Sequence, residues 1–185
     1  MHPDFELIKD IIRKAVVAPS GENTQPWRFV LRGNTVSILN LPERDNPVYN
    51  FRQRGSFFAH GALIENMELL ALGAGYRLSF LSYFDLAKKD HVADIRFIKD
   101  SSLSPDQNAK ALIEAIPKRA SNRRHYAARM LSDGEKKHFE NCTRLYPNII
   151  LKIYTTPEER GQIAESASMV ERVMLQSEIL HRNFF

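Results

Sequence analysis

The chain has 185 residues, of which 43% are hydrophobic, 26% charged and 10% aromatic, enough to bury roughly 70% of its unfolded surface and to exclude a disordered or fibrous protein. A single cysteine, Cys142, excludes an intrachain disulfide, and the most apolar stretch, Phe57 to Phe84, is interrupted by His60, Glu65, Asn66, Glu68 and Arg77, which argues against a membrane span. The formal charge of +4 sits in the second half: residues 1–100 carry 13 basic and 12 acidic side chains, residues 101–185 carry 13 and 10.

A first helix is expected over about Pro3 to Val17, because Phe5, Ile8, Ile11 or Ile12, and Ala15 recur at three- and four-residue spacing. The opening residues lack the basic and apolar regions of a signal peptide, so the expected compartment is the cytoplasm. After the polar stretch Ser20 to Pro26, Trp27 to Arg32 and Thr35 to Leu39 flank Gly33-Asn34, the signal of a two-residue hairpin. Leu41 to Gly55 reads as a surface excursion. A second helix, about Ser56 to Ala74, is apolar enough to be expected in the core. Two strands follow, Tyr76 to Phe84 and His91 to Lys99, where β-branched and aromatic residues cluster.

Three later helices show start signals: Ser104-Pro105-Asp106-Gln107, Ser132-Asp133-Gly134-Glu135 and Thr156-Pro157-Glu158-Glu159 each pair a hydroxyl cap with Gln or Glu three residues on. Ile149 to Tyr154 reads as a short strand. The last helix, from Pro157 onward, shows no stop signal before Phe184-Phe185. This order of elements predicts an α+β fold.

Between the first two of those helices, Lys118 to Arg129 holds five cations and no carboxylate, a local positive field suited to an anion. A small phosphate-bearing ligand fits it better than nucleic acid, since the rest of the chain is nearly neutral; a solvated basic turn is the alternative. No Gly-x-Ser-x-Gly elbow, His-Glu-x-x-His pair or Walker loop is present. The histidines do not pair at ligand spacing, so no metal site is expected; His60 reads as a hydrogen-bonded core residue, and Cys142 as a residue that packs or sits idle on its helix. Gly73-Ala74-Gly75 follows a helix and precedes a strand, the reverse of a dinucleotide loop.

Ala18-Pro19-Ser20-Gly21-Glu22-Asn23-Thr24-Gln25-Pro26-Trp27 offers hydroxyl and amide groups on Ser20, Asn23 and Gln25, and close backbone approach at Gly21. It resembles the Pro-Ser-x-x-Asn-x-Gln-Pro-Trp signature of the FMN-dependent nitroreductase family. Arg119-Ala120-Ser121-Asn122-Arg123 is similar to that family's Arg-x-Ser-x-Arg/Lys motif for the flavin phosphate. In a single nitroreductase unit the arginine motif comes first; here it comes second. That order resembles the Acg-like branch, in which two fused units form an internal pseudo-dimer.

On this resemblance, residues 1–103 are a first nitroreductase-like unit, 104–116 a connecting helix and 117–185 the start of an incomplete second unit. The fold it implies is three-layered, with a central mixed, mainly antiparallel sheet flanked by helices. The implied cofactor is FMN, with NAD(P)H as electron donor and a nitroaromatic, a quinone or a similar small molecule as acceptor, in a ping-pong flavin mechanism. The implied cofactor-binding set is Ser20, Gly21, Asn23, Gln25, Arg119, Ser121, Asn122, Arg123 and Arg124. Arg119 and Arg124 are assigned to the phosphate, Arg123 to the negative charge of the reduced ring, and Ser20, Asn23 and Gln25 to orienting the cofactor. No catalytic side chain is required. Apolar residues of the second unit are expected to need cover from a homodimer partner or from a missing C-terminal half. The alternative function is a non-catalytic protein of Acg-like type that sequesters FMN; neither reading involves nucleic acid or membrane.

Overall fold

The computed structural model describes residues 4–45, 50–85, 87–127, 129–144 and 146–184. The expected helix start at Pro3 and the terminal Phe185 lie outside that set. The chain divides into two compact units, Met1–Asn122 and Arg123–Phe185.

In the first unit α1 (Phe5–Ala15) buries Ile8, Ile11, Ile12 and Ala15, the face set by its three- and four-residue spacing. The hairpin forms where Gly33-Asn34 places it: β1 (Trp27–Arg32) pairs antiparallel with β2 (Thr35–Asn40), and Gly33 takes the positive φ of 61° that the turn needs. Asn34 then ties the turn to a distant strand, its side-chain amide donating to the Phe97 carbonyl at 2.9 Å while the Phe97 amide donates to its carbonyl at 2.8 Å.

α2 (Arg54–Gly73) leads into β3 (Tyr76–Tyr83) and β4 (His91–Lys99), and the sheet runs β1-β2-β4-β3, antiparallel throughout. Alternate strand residues Trp27, Val36, Ile38, Tyr76, Ile95 and Phe97 form the core with α1 and α2. The opposite sheet face carries Arg28, Ser37, Asp94 and Arg96. This is the expected α+β class.

α2 departs from expectation. Only its Ser56, Ala59, His60, Leu63, Met67 and Ala71 face is buried, and Phe58 on the other face is 86% exposed. The helix is apolar on both sides, while the first unit covers one. α3 (Gln107–Ala115) is capped by Asp106, whose carboxylate accepts from the Ala109 amide at 2.7 Å, and not by Ser104: the stronger acceptor, two residues later, takes the cap.

The second unit contains α4 (Asp133–Arg144), α5 (Pro157–Gln176) and α6 (Glu178–Phe184). The expected caps form at Ser132, which exchanges bonds with Glu135, and at Thr156, which makes a full capping box with Glu159. The final helix is broken at Ser177, which leaves helical geometry. Ile149 to Tyr154 is not a strand, because no ladder partner exists for it among the described residues. Met174 is the one buried residue among the described residues of this unit, and Ile150, Val170, Val173 and Ile179 are all more than half exposed. Among the described residues no helix is long and apolar enough to cross a membrane.

Candidate functional site

The loop from Ala18 to Pro26 is held at both ends by buried residues, Ala18 at one side and Pro26 and Trp27 at the other. Between them a short 3-10 turn, Gly21–Asn23, is closed by the Asn23 amide on the Ser20 carbonyl at 3.1 Å and the Thr24 amide on the Gly21 carbonyl at 2.9 Å. The Ser20 hydroxyl accepts from the Gln25 amide at 3.0 Å and so fixes the loop width. Glu22, Asn23 and Gln25 all have positive φ, at 47°, 58° and 48°. Such backbone costs on the order of 1 kcal/mol or more per residue and concentrates at ligand sites. Thr24 Oγ1 is buried with no hydrogen-bond partner among the described residues.

The stretch read as a plain surface excursion buttresses this loop. Arg44 donates to the Gln25 carbonyl at 3.3 Å, and the Asp45 carboxylate lies beside Gly21, 3.6 Å from where a Cβ would stand. Asp45 accepts from Ser56 Oγ at 3.0 Å. Asn50, 3% exposed, donates to Ser56 Oγ at 2.7 Å and accepts from the Gly55 and Ser56 amides at 2.8 and 3.2 Å. It thereby caps α2 from three residues before the Gln53 N-cap position, whose own side chain makes no cap bond. Sequence reasoning missed this; the signal was an Asn and a Ser flanking a Gly at the start of an apolar helix.

Beneath the loop, His60 Nε2 meets Asn40 Oδ1 at 3.1 Å, with the Trp27 ring edge-on at 6.1 Å. Burial lowers the His60 pKa to about 4, against a smaller opposing pull from the Pro26 carbonyl, so the ring is neutral near pH 7. His60 is the hydrogen-bonded core residue expected.

The arginine motif begins inside the first unit. Ile116 is buried, and Arg119 Nε donates to the Val17 carbonyl at 3.1 Å, immediately before the loop. Arg119 is exposed. Ser20, Gly21, Asn23 and Gln25 therefore share one end of the first unit with Arg119. Ser121 and Asn122 follow as exposed loop residues at the end of that unit. Arg123 and Arg124 are exposed members of the second unit.

A second polar cluster lies on the open sheet face. Asp94 accepts from Ser37 Oγ at 2.5 Å, Ser82 Oγ at 3.1 Å and Lys88 Nζ at 2.8 Å. The register shift in β3 between Phe80 and Ser82 puts Ser82 opposite Asp94. His91 Nδ1 accepts from the Asp85 amide at 2.9 Å, which leaves the ring proton on Nε2, 3.3 Å from Asp94 Oδ1. Burial alone would raise the Asp94 carboxyl, but these donors together hold it well below the usual range. The cluster is a hydrogen-bonded staple for the β3–β4 loop. Among the described residues no group of three or more His, Cys, Asp or Glu could hold a metal ion, and Cys142 is exposed, 3.9 Å from His138 Nε2.

No family model matches the chain. Over 133 residues it is 27% identical to the protein named "Putative NAD(P)H nitroreductase Rv3131" from Mycobacterium tuberculosis, covering 72% of this chain and 38% of that one. Over 187 residues it is 21% identical to "Putative NAD(P)H nitroreductase acg" from the same organism, covering 99% of this chain and 55% of that one. The likeness is to the nitroreductase family. The chain spans 38% and 55% of the length of these two nitroreductase-named relatives. A solved Desulfovibrio desulfuricans protein, described as a "putative nitroreductase in complex with fmn", is 20% identical with a TM-score of 0.44, covering 72% of this chain and 87% of that one.

Proposed function

We propose that this nitroreductase-like chain binds FMN on the Ser20–Gln25 loop and the arginine motif, and serves NAD(P)H-dependent reduction of a nitroaromatic, a quinone or a similar small acceptor. The observation that carries the reading is the Arg119 bond to the Val17 carbonyl, which ties the first residue of the arginine motif to the backbone just before the Ser20–Gln25 loop. The relatives' names support the nicotinamide donor and the reaction class. The residues fit a flavin phosphate: Arg119 offers a guanidinium fork, and the orphaned Thr24 hydroxyl sits within a loop kept in left-handed backbone.

When bound, FMN supplies the redox chemistry, accepting hydride from a nicotinamide and returning electrons to the second substrate in ping-pong order. The chain's own residues bind and orient. Arg119 supplies a charge-assisted contact for the phosphate, with Ser121 and Asn122 extending the polar run beside it. Ser20 fixes the loop through the Gln25 backbone amide, and the Gln25 side-chain amide donates to Asn23 Oδ1 at 3.5 Å, so the two side chains would orient the cofactor as a pair. The resemblance extends the same role to the next cations of the sequence, Arg123 for the reduced ring and Arg124 for the phosphate. A second protein surface, from another copy or from the remainder of a longer chain, completes the site.

The test is anaerobic spectroscopy of the purified chain loaded with FMN. The expected result is flavin absorbance bleached by NADH or NADPH and restored by a nitroaromatic or a quinone. Bound flavin that stays oxidised would refute the enzymatic reading, and failure to bind flavin would refute the site.

A further inference from the structure

Helices α1 and α2 cover one side of the sheet in the first unit, and the side chains on its other side are sorted by charge. Strand register sets them in rows across β1, β2, β4 and β3. One row is Val30, Ser37, Asp94 and Ser82, and the neighbouring row is Arg32, Thr35, Arg96 and Ser79. In the first, two hydroxyls flank a carboxylate and both donate to it, Ser37 Oγ at 2.5 Å and Ser82 Oγ at 3.1 Å. In the second, two hydroxyls flank a guanidinium, and the carboxylate is missing.

The other cations of this face have acids nearby. Lys88 is paired with Asp94 at 2.8 Å and Asp85 at 3.4 Å, and Arg28 shares a pocket with Glu43 and Asp90. Asp100, whose carboxyl is lowered by Ser102 and in smaller part by Arg77, engages that arginine. Arg32 and Arg96 are exposed and have no carboxylate partner among the described residues. They stand two strands apart, about 10 Å between Cα atoms, which is the span of three residues of extended chain. Beside Arg32, a depression of about 170 Å³ is lined by Val30, Arg32, Ser37, Leu39, Lys88 and His91, with the half-buried Val30 and Leu39 as its apolar part. The two rows carry no aromatic ring on which a base could stack, and Val30, Leu39 and Ile98 are too far buried to insert into a lipid surface. A guanidinium fork matches a carboxylate, as the Asp94 row shows for the hydroxyls on either side.

We infer that this sheet face binds an extended, carboxylate-rich segment of a partner protein. Two of its acidic side chains sit on Arg32 and Arg96, the Thr35 and Ser79 hydroxyls donate to the one on Arg96, and an apolar side chain enters the depression at Val30 and Leu39. The assignment uses none of the residues given to FMN and holds whether or not flavin binds.

The test is fluorescence anisotropy of the purified full chain with a fluorescein-labelled peptide of three glutamates, one leucine and three glutamates, at low ionic strength. Saturable binding is expected. Arg32→Glu and Arg96→Glu are each expected to weaken it about tenfold or more, and Arg32→Gln and Arg96→Gln, which leave no like charge behind, about threefold. Arg13→Glu makes the same change in net charge on the exposed side of α1 and is expected to shift affinity less than about twofold. Circular dichroism confirms that each variant is folded. Absence of saturable binding overturns the proposal, as does a loss in Arg13→Glu, or in Arg123→Glu of the basic loop, equal to that in the sheet variants. Single-stranded DNA or phosphatidylserine vesicles held through Arg32 and Arg96 as tightly as the peptide would overturn it too, since the face would then select phosphate.

Discussion

Replacing Asn50 with alanine removes the group that closes the start of α2 and links it to the loop. The side chain accepts from the Gly55 and Ser56 amides and donates to the Ser56 hydroxyl, and Asn50 and Ser56 are both almost fully buried. Loss of a helix cap costs about 1 kcal/mol. The buried Ser56 hydroxyl keeps Asp45 as acceptor but loses its donor, and the two amides lose their acceptor, adding about 1–3 kcal/mol. The sum is about 2–4 kcal/mol, which at a urea slope of roughly 2 kcal/mol per molar lowers the unfolding midpoint by about 1–2 M. Asn50→Asp keeps the acceptor for both amides and is expected to lose less. Urea titration followed by circular dichroism measures both. A midpoint for Asn50→Ala matching a stability within about 0.5 kcal/mol of wild type would refute the capping role.

Three further outcomes follow from the same structure. His60 takes up its proton near pH 4 when folded and near 6.5 when unfolded, so stability falls as pH drops through that window, by about 3 kcal/mol from this group. His60→Gln should flatten that slope in urea titrations at stepped pH; an unchanged slope would count against the buried neutral ring. Asp94 is held below its unfolded value, so its contribution is present above about pH 4 and is lost as pH falls further. Asp94→Ala, which strands Ser37 and Ser82, should cost about 2–4 kcal/mol in thermal or urea unfolding, and a cost near zero would remove the staple assignment. Arg119→Ala and Arg123→Ala should each lower FMN affinity about tenfold or more, and unchanged flavin titrations for both would remove the phosphate assignment.

The first unit was largely legible because its signals are local. Gly33-Asn34 fixes a hairpin within a few residues, and the α1 face follows from four apolar positions. The helix starts at Ser132 and Thr156 are legible for the same reason, since each capping box closes within one turn. What failed depends on distant partners. Ile149 to Tyr154 has strand composition, yet a strand exists only where a neighbour supplies ladder bonds. α2 looked like a central helix because it is apolar all round; which of its faces is covered depends on what packs against it, and the first unit covers one.

The candidate site divides in the same way. Ser20, Gly21, Asn23, Gln25 and Arg119 were readable as motifs, and the Arg119 bond to Val17 spans 102 residues that no spacing rule connects. Asp45, Asn50 and Ser56 were unreadable as a network because each is an ordinary turn residue alone, and only the return of the chain to the α2 start makes them converge.

The central claim is that Arg119 and the Ser20–Gln25 loop hold the phosphate end of FMN. Parallel fluorescence titrations of the purified chain with FMN and with riboflavin, which lacks the phosphate, test it most directly. The structure predicts FMN binding at least about tenfold tighter than riboflavin, with the difference abolished in Arg119→Ala. Equal affinity for the two flavins, or a preference that survives Arg119→Ala, would contradict it.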